Sequence, residues 1–215
     1  MQTPRAAAIA GILFGHLLGA ALIIIYVAVP SDSREGGNWV VDDSNRRAVV
    51  FALNLLPFAG IAFLWFIGVV RTRMGQREDR LFATVFLGSG LLFVALLFAA
   101  GAIAGALLIN PEDATEPPTE LWSYGRRITY SLITVYAMRM AGVFMISTTT
   151  LVMRLNLVPR WLVIGGYAGA VILLLTTATL RYVELIFPLW VLVLSVHILI
   201  ATTRRAESSR PSPNA

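Results

Sequence analysis

Long apolar segments alternate with short polar connections along almost the whole chain. Six segments of 20 to 30 residues contain almost no charge, and the connections between them hold nearly all of it. About 20 apolar residues are needed to cross about 30 Å of hydrocarbon, so each segment predicts a transmembrane helix. The predicted spans are Ala6–Val29, Ala48–Val70, Leu81–Asn110, Ile128–Met153, Trp161–Leu180 and Tyr182–Thr203.

The separation of charged from apolar residues sets the domain organisation. Of the 29 charged residues, only Arg139 and Glu184 fall inside the six spans. Spans five and six are separated by Arg181 alone, but 43 residues are too many for one crossing, so we expect a tight hairpin there. The predicted fold is an all-α membrane bundle of six helices, one domain over residues 1–205, with a disordered polar tail over residues 206–215.

Composition supports a membrane protein and excludes several kinds of chemistry. The hydrophobic residues make up 57% of the chain and the charged ones 13%, against about 25% charged in an average soluble domain. The sequence contains no lysine, which excludes Schiff-base enzymes and P-loop nucleotide binding. It contains no cysteine, which excludes disulfides, thiolate metal sites and iron–sulfur clusters. We expect the lipid bilayer as the environment, with no cofactor, no metal site and no nucleic-acid partner.

The arginines predict the orientation in the membrane. One side would carry both termini and the connections 71–80 and 154–160, with ten arginines in 34 residues. The other side would carry residues 30–47, 111–127 and 181, with six arginines in 36 residues. Since positive charge accumulates on the cytoplasmic side, both termini are predicted to lie in the cytoplasm, with the chain in the plasma (inner) membrane. The 24-residue first span is longer than a signal-peptide core, so we expect it to stay attached.

Glycines spaced four residues apart predict close helix packing on three spans. Small residues let helix backbones approach in lipid, where no hydrophobic force drives helices together. Packing within one chain is the simpler interpretation, and a homodimer face, with the first span as the best candidate, is the alternative. The predicted packing residues are Gly11, Gly15, Gly19, Gly101, Gly105, Gly165 and Gly169.

Arg139 is the residue that most needs a function. It lies 11 residues after Ile128, about 16 Å into the fourth span, where an arginine costs about 2.5–3.5 kcal/mol to insert. Glu184 lies near the outer end of its span, about 13 Å from the depth of Arg139, so we expect it to meet interfacial water. Two hypotheses stay open: a ligand site for an anionic solute or lipid, or a structural hydrogen-bond centre. The predicted site residues are Arg139, Tyr136, His16 and Asn54.

Three functional classes follow from this pattern. The leading one is transporter-like binding or permeation of a small anionic solute or lipid through the bundle interior around Arg139. The second is a non-catalytic accessory or packing subunit of a larger membrane complex. The third is an intramembrane enzyme using Ser89 and His197, but Leu87 breaks the Gly-x-Ser-Gly pattern of rhomboid-type proteases. No catalytic residue is therefore assigned.

Six short motifs are distributed along the chain: Asn54-Leu-Leu-Pro57, Phe63-Leu-Trp65-Phe66, Arg77-Glu-Asp-Arg80, Gly88-Ser-Gly90, Pro159-Arg-Trp161-Leu162 and Gly165-Gly166-Tyr167. Together they resemble the motifs of actinobacterial multi-pass membrane proteins of unknown function. The resemblance covers about half of the chain and implies a six-helix membrane fold. It implies no activity and transfers no catalytic residue.

Overall fold

The computed structural model describes residues 3–29, 42–71, 80–108, 120–155, 158–176 and 182–208. Helix accounts for 96% of these residues, and none of them is in a strand. A π-helix (Leu132–Ala137) joins the fourth and fifth α-helices, and a 3-10 turn (Val183–Leu185) precedes the last one. The α-helices are α1 (Thr3–Ala28), α2 (Asp43–Arg71), α3 (Arg80–Leu108), α4 (Glu120–Ser131), α5 (Met138–Arg154), α6 (Arg160–Leu175) and α7 (Ile186–Ser208).

Five helical units are long and apolar enough to cross a membrane. They are α1, α2, α3, α7 and the rod in which the π-helix connects α4 to α5. The remaining helical unit, α6, has 16 residues and is about 24 Å long. The described chain is therefore all-helical, with the long apolar helices of a membrane protein, and its six helical units follow the predicted order.

Two helices begin well before the apolar runs that predicted them. α2 begins at Asp43 where Ala48 was predicted, and α4 begins at Glu120 where Ile128 was predicted. Asp42 explains the first difference, because one of its carboxylate oxygens accepts hydrogen bonds of 2.8 Å from the Ser44 N–H and hydroxyl. This cap satisfies a donor that a helix start leaves free, and it lowers the pKa of Asp42. Absence of charge marks the hydrocarbon-spanning part of a helix, not its ends.

The helix of the fifth span, α6, ends earlier than predicted, and the helix of the sixth span, α7, ends later. α6 ends at Leu175, five residues before Leu180, and the next residue, Thr176, has extended backbone angles. Thr176 begins a threonine-rich stretch, and β-branched threonine favours extended backbone over helix. The predicted hairpin at Arg181 lies outside the described residues. α7 continues to Ser208, into the predicted tail, whose remaining residues 209–215 also lie outside them.

The core of the bundle is a cluster of phenylalanines centred on Phe63 of α2. The Phe63 ring lies 4.5 Å from Phe14 of α1 and 4.9 Å from Phe144 of α5, measured between ring centroids. It lies 5.4 Å from Phe93 of α3 and 5.5 Å from Phe187 of α7. All five side chains are fully buried. This Phe63 hub joins five helices at one place.

The helices form two neighbouring groups around the hub. α1 packs along both α2 and α7, and α5 packs along both α6 and α3. Contacts between α2 and α3 connect the groups, whereas α6 and α7 meet less extensively. Arg139 belongs to the second group, and Glu184 lies beside the first, at the start of α7.

Candidate functional site

Arg139 lies in the middle of the longest membrane-spanning unit. That unit extends from Trp122 to Arg154, which places Arg139 17 residues after its start and 15 before its end. Both distances correspond to more than 20 Å of helix, so a bilayer crossed by this rod places the Arg139 backbone near its midplane. An interfacial arginine can extend its side chain to water, but from this depth the distance is too great. The guanidinium therefore needs acceptors from protein, trapped water or a ligand.

A π-helical turn directly precedes Arg139. The Met138 N–H reaches the Ile133 carbonyl five residues back, which gives the helix one more residue per turn than an α-helix. Such turns often occur at functional sites in helical proteins. An Arg139 guanidinium N–H donates to the Val135 carbonyl at 3.4 Å, which is long for a hydrogen bond. This is its one hydrogen bond within the described chain, although a guanidinium carries five N–H donors.

The surroundings of Arg139 are buried on one side and open on the other. Met138 and Ala141 are buried, whereas Tyr136, one turn away on the Arg139 face, is 58% exposed. Arg139 itself is partly buried. The guanidinium thus belongs to the boundary between the bundle interior and its outer surface.

The other two predicted site residues lie on different helices and point outward. His16 of α1 is exposed, and its Nδ1 lies 2.9 Å from the Ile12 carbonyl of the same helix. Asn54 of α2 is also exposed, and its side-chain amide donates to the Val50 carbonyl at 2.9 Å. Within the described residues no hydrogen bond joins Arg139, Tyr136, His16 and Asn54 to one another. The ligand-binding hypothesis for these four residues stays a prediction.

Asn54 borders an apolar groove between α2 and α3. The groove has a volume of about 480 Å³, and Asn54 is its one polar lining residue. Pro57 and Gly101 are among the other lining residues, and neither has a side chain long enough to fill the space. A groove of this composition favours an apolar ligand, such as a lipid chain, over an anion.

The predicted packing glycines divide according to what surrounds them. A methyl group would overlap Ser195 at Gly11, and at Gly15 it would lie 2.9 Å from the Pro188 carbonyl oxygen. At Gly101 it would lie 3.2 Å from Leu56, and at Gly169 2.9 Å from Ile186. These four glycines lie against neighbouring helices of the same chain. At Gly19, Gly105 and Gly165 no heavy atom of a neighbouring described helix lies within 4 Å of the corresponding position.

The residues considered for protease chemistry are not joined to each other. Ser89 of α3 is buried, and its hydroxyl donates to the Val85 carbonyl at 2.7 Å. No hydrogen bond links it to His197 of α7 in the described structure. A nucleophilic serine needs a base within hydrogen-bond reach, and this serine has a backbone carbonyl there.

A second polar centre, around Glu184, lies where α1 meets the start of α7. Glu184 is 5% exposed, contrary to the predicted contact with interfacial water, and its carboxylate accepts a hydrogen bond from the Tyr26 hydroxyl. Tyr182 packs edge-on against the Tyr26 ring at 4.9 Å between centroids. Its φ of 71° is in the left-handed region, which costs about 1–3 kcal/mol in a bulky residue. Packing around the carboxylate holds the backbone in this strained turn.

The two polar centres are separate. Tyr130 of α4 interacts electrostatically with Glu184, and Arg139 follows Tyr130 by nine residues, about 13 Å along the helix axis. No ion pair joins Arg139 to Glu184, and the one ion pair in the described structure is Arg46–Asp43. Sequence reasoning missed the Tyr26–Glu184 contact. The available signal was a tyrosine near the C-terminal end of the first span and a carboxyl near the N-terminal end of the sixth, two ends predicted to lie on the same side of the membrane.

Comparison with protein families, with curated proteins and with solved structures gives no match to this chain. Arg139 is the one charged residue near the middle of a described apolar helix, and the described chain gives its five N–H donors one long hydrogen bond.

Proposed function

We propose that the protein binds an oxyanion at Arg139 and that this site serves the permeation of a small anionic solute or an anionic lipid. The observation that carries the proposal is a partly buried arginine at mid-membrane depth with one long hydrogen bond to its own helix. Insertion of a central arginine costs about 2.5–3.5 kcal/mol, and an anion in contact with the guanidinium offsets that cost. Carboxylate and phosphate oxygens match the paired donors of a guanidinium.

Flux through liposomes containing the full chain tests the proposal. The probes are inorganic phosphate and short carboxylates, and the variants are Arg139→Gln and Arg154→Gln. Arg154 is a suitable control because it ends the same rod and its guanidinium lies 5.7 Å from the Phe82 ring. We expect saturable flux in the native chain and in Arg154→Gln, and its loss in Arg139→Gln. Equal flux in the native chain and Arg139→Gln overturns the proposal for a free solute.

Lipid analysis of the same preparations separates a lipid ligand from a free solute. An anionic lipid bound at Arg139 predicts that it copurifies with the native chain and Arg154→Gln but not with Arg139→Gln. The absence of both flux and Arg139-dependent lipid overturns anion binding altogether.

Labelling of single cysteines measures whether water reaches the Arg139 face. The native chain has no cysteine, so each introduced cysteine is the only one that can react. Single cysteines at Tyr136, Val143 and Ile146 sample that face, and Leu92 of α3, which is exposed near mid-helix, is the lipid-facing control. We expect a membrane-impermeant maleimide to label the first three positions and not the control. Labelling at none of them means that no water-filled path reaches Arg139.

A second candidate function is that of a subunit in a larger membrane assembly. The observation that favours it is the outward exposure of three polar side chains within the spans, those of His16, Asn54 and Tyr136. Polar groups facing hydrocarbon are costly, and contact with another protein satisfies them. Native mass spectrometry from nanodiscs tests this, since self-association gives multiples of 23.4 kDa. The double variant His16→Leu and Asn54→Leu is then expected to be a monomer.

We also propose that the chain crosses the plasma membrane six times with both termini in the cytoplasm. The excess of arginine beside the cytoplasmic ends of the predicted spans supports this orientation. A reporter that is active only in the cytoplasm is expected to be active when fused to either terminus. Activity at one terminus alone indicates an odd number of crossings.

A further inference from the structure

The groove between α2 and α3 extends along the helix axes over about the depth of one lipid leaflet. On α3 its lining runs from Phe98 to Leu108, a distance of about 15 Å along the helix. The hydrocarbon of a bilayer is about 30 Å thick, so each leaflet supplies about half of that depth. Leu108 ends α3, and Phe98 lies near the middle of its apolar stretch, Phe82–Leu108. The groove therefore runs from one end of α3 to about mid-membrane.

The groove has free space at Gly105 and a closed inner end at Phe98. At Gly105 no heavy atom of a neighbouring described helix lies within 4 Å of the position of an added methyl group. About one turn deeper, a methyl group at Gly101 would lie 3.2 Å from the Leu56 side chain, which is buried and forms the back wall. A methyl group at Gly60 would overlap the Phe98 ring, so this ring, packed on a glycine of α2, closes the inner end.

The rim of the groove is exposed and carries one polar side chain. Pro57 and Ala102 are exposed rim residues, and so is Asn54. The Asn54 amide has two N–H donors, and within the described chain it uses one of them, in a bond of 2.9 Å to the Val50 carbonyl. Side chains on a helix lean toward its N-terminus, so the amide lies toward the open end of the groove. One N–H remains for a ligand beside an otherwise apolar surface.

We propose that this groove binds one acyl chain of a membrane lipid, whose ester carbonyl accepts a hydrogen bond from the second Asn54 N–H. An acyl chain of one leaflet ends near mid-membrane, where Phe98 closes the groove. A helix of a second copy is about 10–12 Å wide and crosses both leaflets, so a groove of about 480 Å³ that stops at mid-membrane fits it less well. Arg139 is not a lining residue, so this inference goes beyond the proposed function and stands or fails independently of it.

Photocrosslinking of the full chain in phosphatidylcholine nanodiscs tests the proposal. The probe is a phosphatidylcholine with a photoreactive diazirine in one acyl chain, and mass spectrometry locates the modified residues. Gly105→Leu fills the groove, and Gly165→Leu is the matched control, because Gly165 of α6 is equally unobstructed but does not line the groove. We expect crosslinks concentrated on the lining residues in the native chain, in Gly165→Leu and in Arg139→Gln, and their loss from these residues in Gly105→Leu.

An ether-linked phosphatidylcholine tests the polar contact, because it lacks the ester carbonyl. The loss of one hydrogen bond corresponds to about 2–12-fold weaker binding. The ether lipid should therefore compete about 2–12-fold less well than the ester lipid for the native groove, and as well as the ester lipid in Asn54→Leu. Equal competition by the two lipids in the native chain overturns the assignment to Asn54.

Three other outcomes overturn the lipid site itself. Crosslinks spread evenly over the exposed positions of all helices show ordinary boundary lipid. Crosslinks at the lining residues that persist in Gly105→Leu show that the groove does not hold the chain. Lining residues protected from the probe, in a chain whose mass doubles in native mass spectrometry, show that a second copy occupies the groove. Circular dichroism checks that Gly105→Leu is folded, and Ala102→Leu, at an exposed lining position, fills the same groove if it is not.

Discussion

Gly15 and Gly19 lie one turn apart on α1 and differ in what an added methyl group would meet. At Gly15 it would lie 2.9 Å from both the Leu192 side chain and the Pro188 carbonyl oxygen of α7. At Gly19 no heavy atom of a neighbouring described helix lies within 4 Å of the added methyl group. Since the Pro188 oxygen is part of the backbone, Gly15→Ala requires α1 and α7 to separate. The two substitutions are therefore a matched pair in which one creates a steric conflict and the other does not.

The two substitutions should change the free energy of unfolding in opposite directions and by different amounts. Replacing a helical glycine by alanine stabilises a helix by about 0.5–1 kcal/mol, and this gain applies to both variants. Overpacking at Gly15 costs about 1–3 kcal/mol in addition. We therefore expect Gly19→Ala to be slightly more stable than the native chain. Gly15→Ala should be less stable than Gly19→Ala by about 1–3 kcal/mol, which is about 5–150-fold in the unfolding equilibrium.

Reversible unfolding in mixed micelles, followed by tryptophan fluorescence, measures both variants against the native chain. Equal stabilities of Gly15→Ala and Gly19→Ala would show that the close approach of α1 to α7 is absent in the membrane. A loss of stability in Gly19→Ala that depends on protein concentration would instead identify α1 as a face between two copies of the chain.

Two further predictions concern the hub and the start of α2. Phe63→Ala should lower the free energy of unfolding by about 3–5 kcal/mol, whereas Phe58→Ala, 62% exposed on the same helix, should change it little because lipid fills the space. Equal losses of stability in Phe63→Ala and Phe58→Ala, measured in the same micelle assay, contradict a central role of Phe63 in the core. The hydrogen bonds from Ser44 lower the pKa of Asp42, so their stabilisation is present above the unfolded value of 3.8 and is lost as pH falls through the folded value. Amide exchange at Ser44 should therefore accelerate on acidification relative to Asp42→Asn, and parallel behaviour of the two chains refutes the cap.

The positions of the helices were predictable because the membrane imposes one strong rule. A charged side chain in hydrocarbon is costly, so charge-free runs locate the spanning parts of α1, α2, α3 and α7 within a few residues. Helix ends follow other interactions. The Asp42 cap and the polar first turns of α4 extend helices into regions that hydropathy assigns to loops. The π-helix before Arg139 has no hydropathy signal, because its six residues resemble those around it.

The directions of individual side chains were much harder to predict. Most faces of these helices are apolar, since lipid-facing and buried positions use the same residue types, so a helical wheel gives little information on orientation. His16 and Asn54 were predicted to share a site with Arg139, and both are exposed on other helices. Glu184 was expected in interfacial water because it is close to a span end. Its burial depends on Tyr26 from the opposite end of the sequence, a contact that only the tertiary fold creates.

The Phe63 hub limits how this bundle can change shape. A motion that carries α1, α3, α5 or α7 away from α2 must break at least one ring contact at the hub. Among the described helices α4 and α6 supply no ring to it, and α6 packs chiefly on α5. Rocking of two rigid halves, which many transporters use, would open the hub, whereas sliding of α6 along α5 leaves it closed. In mechanical terms the hub holds five helices together as one body, and a shift of α6, which contacts such as the Thr150–Tyr167 hydrogen bond hold to α5, is the change that the hub does not oppose.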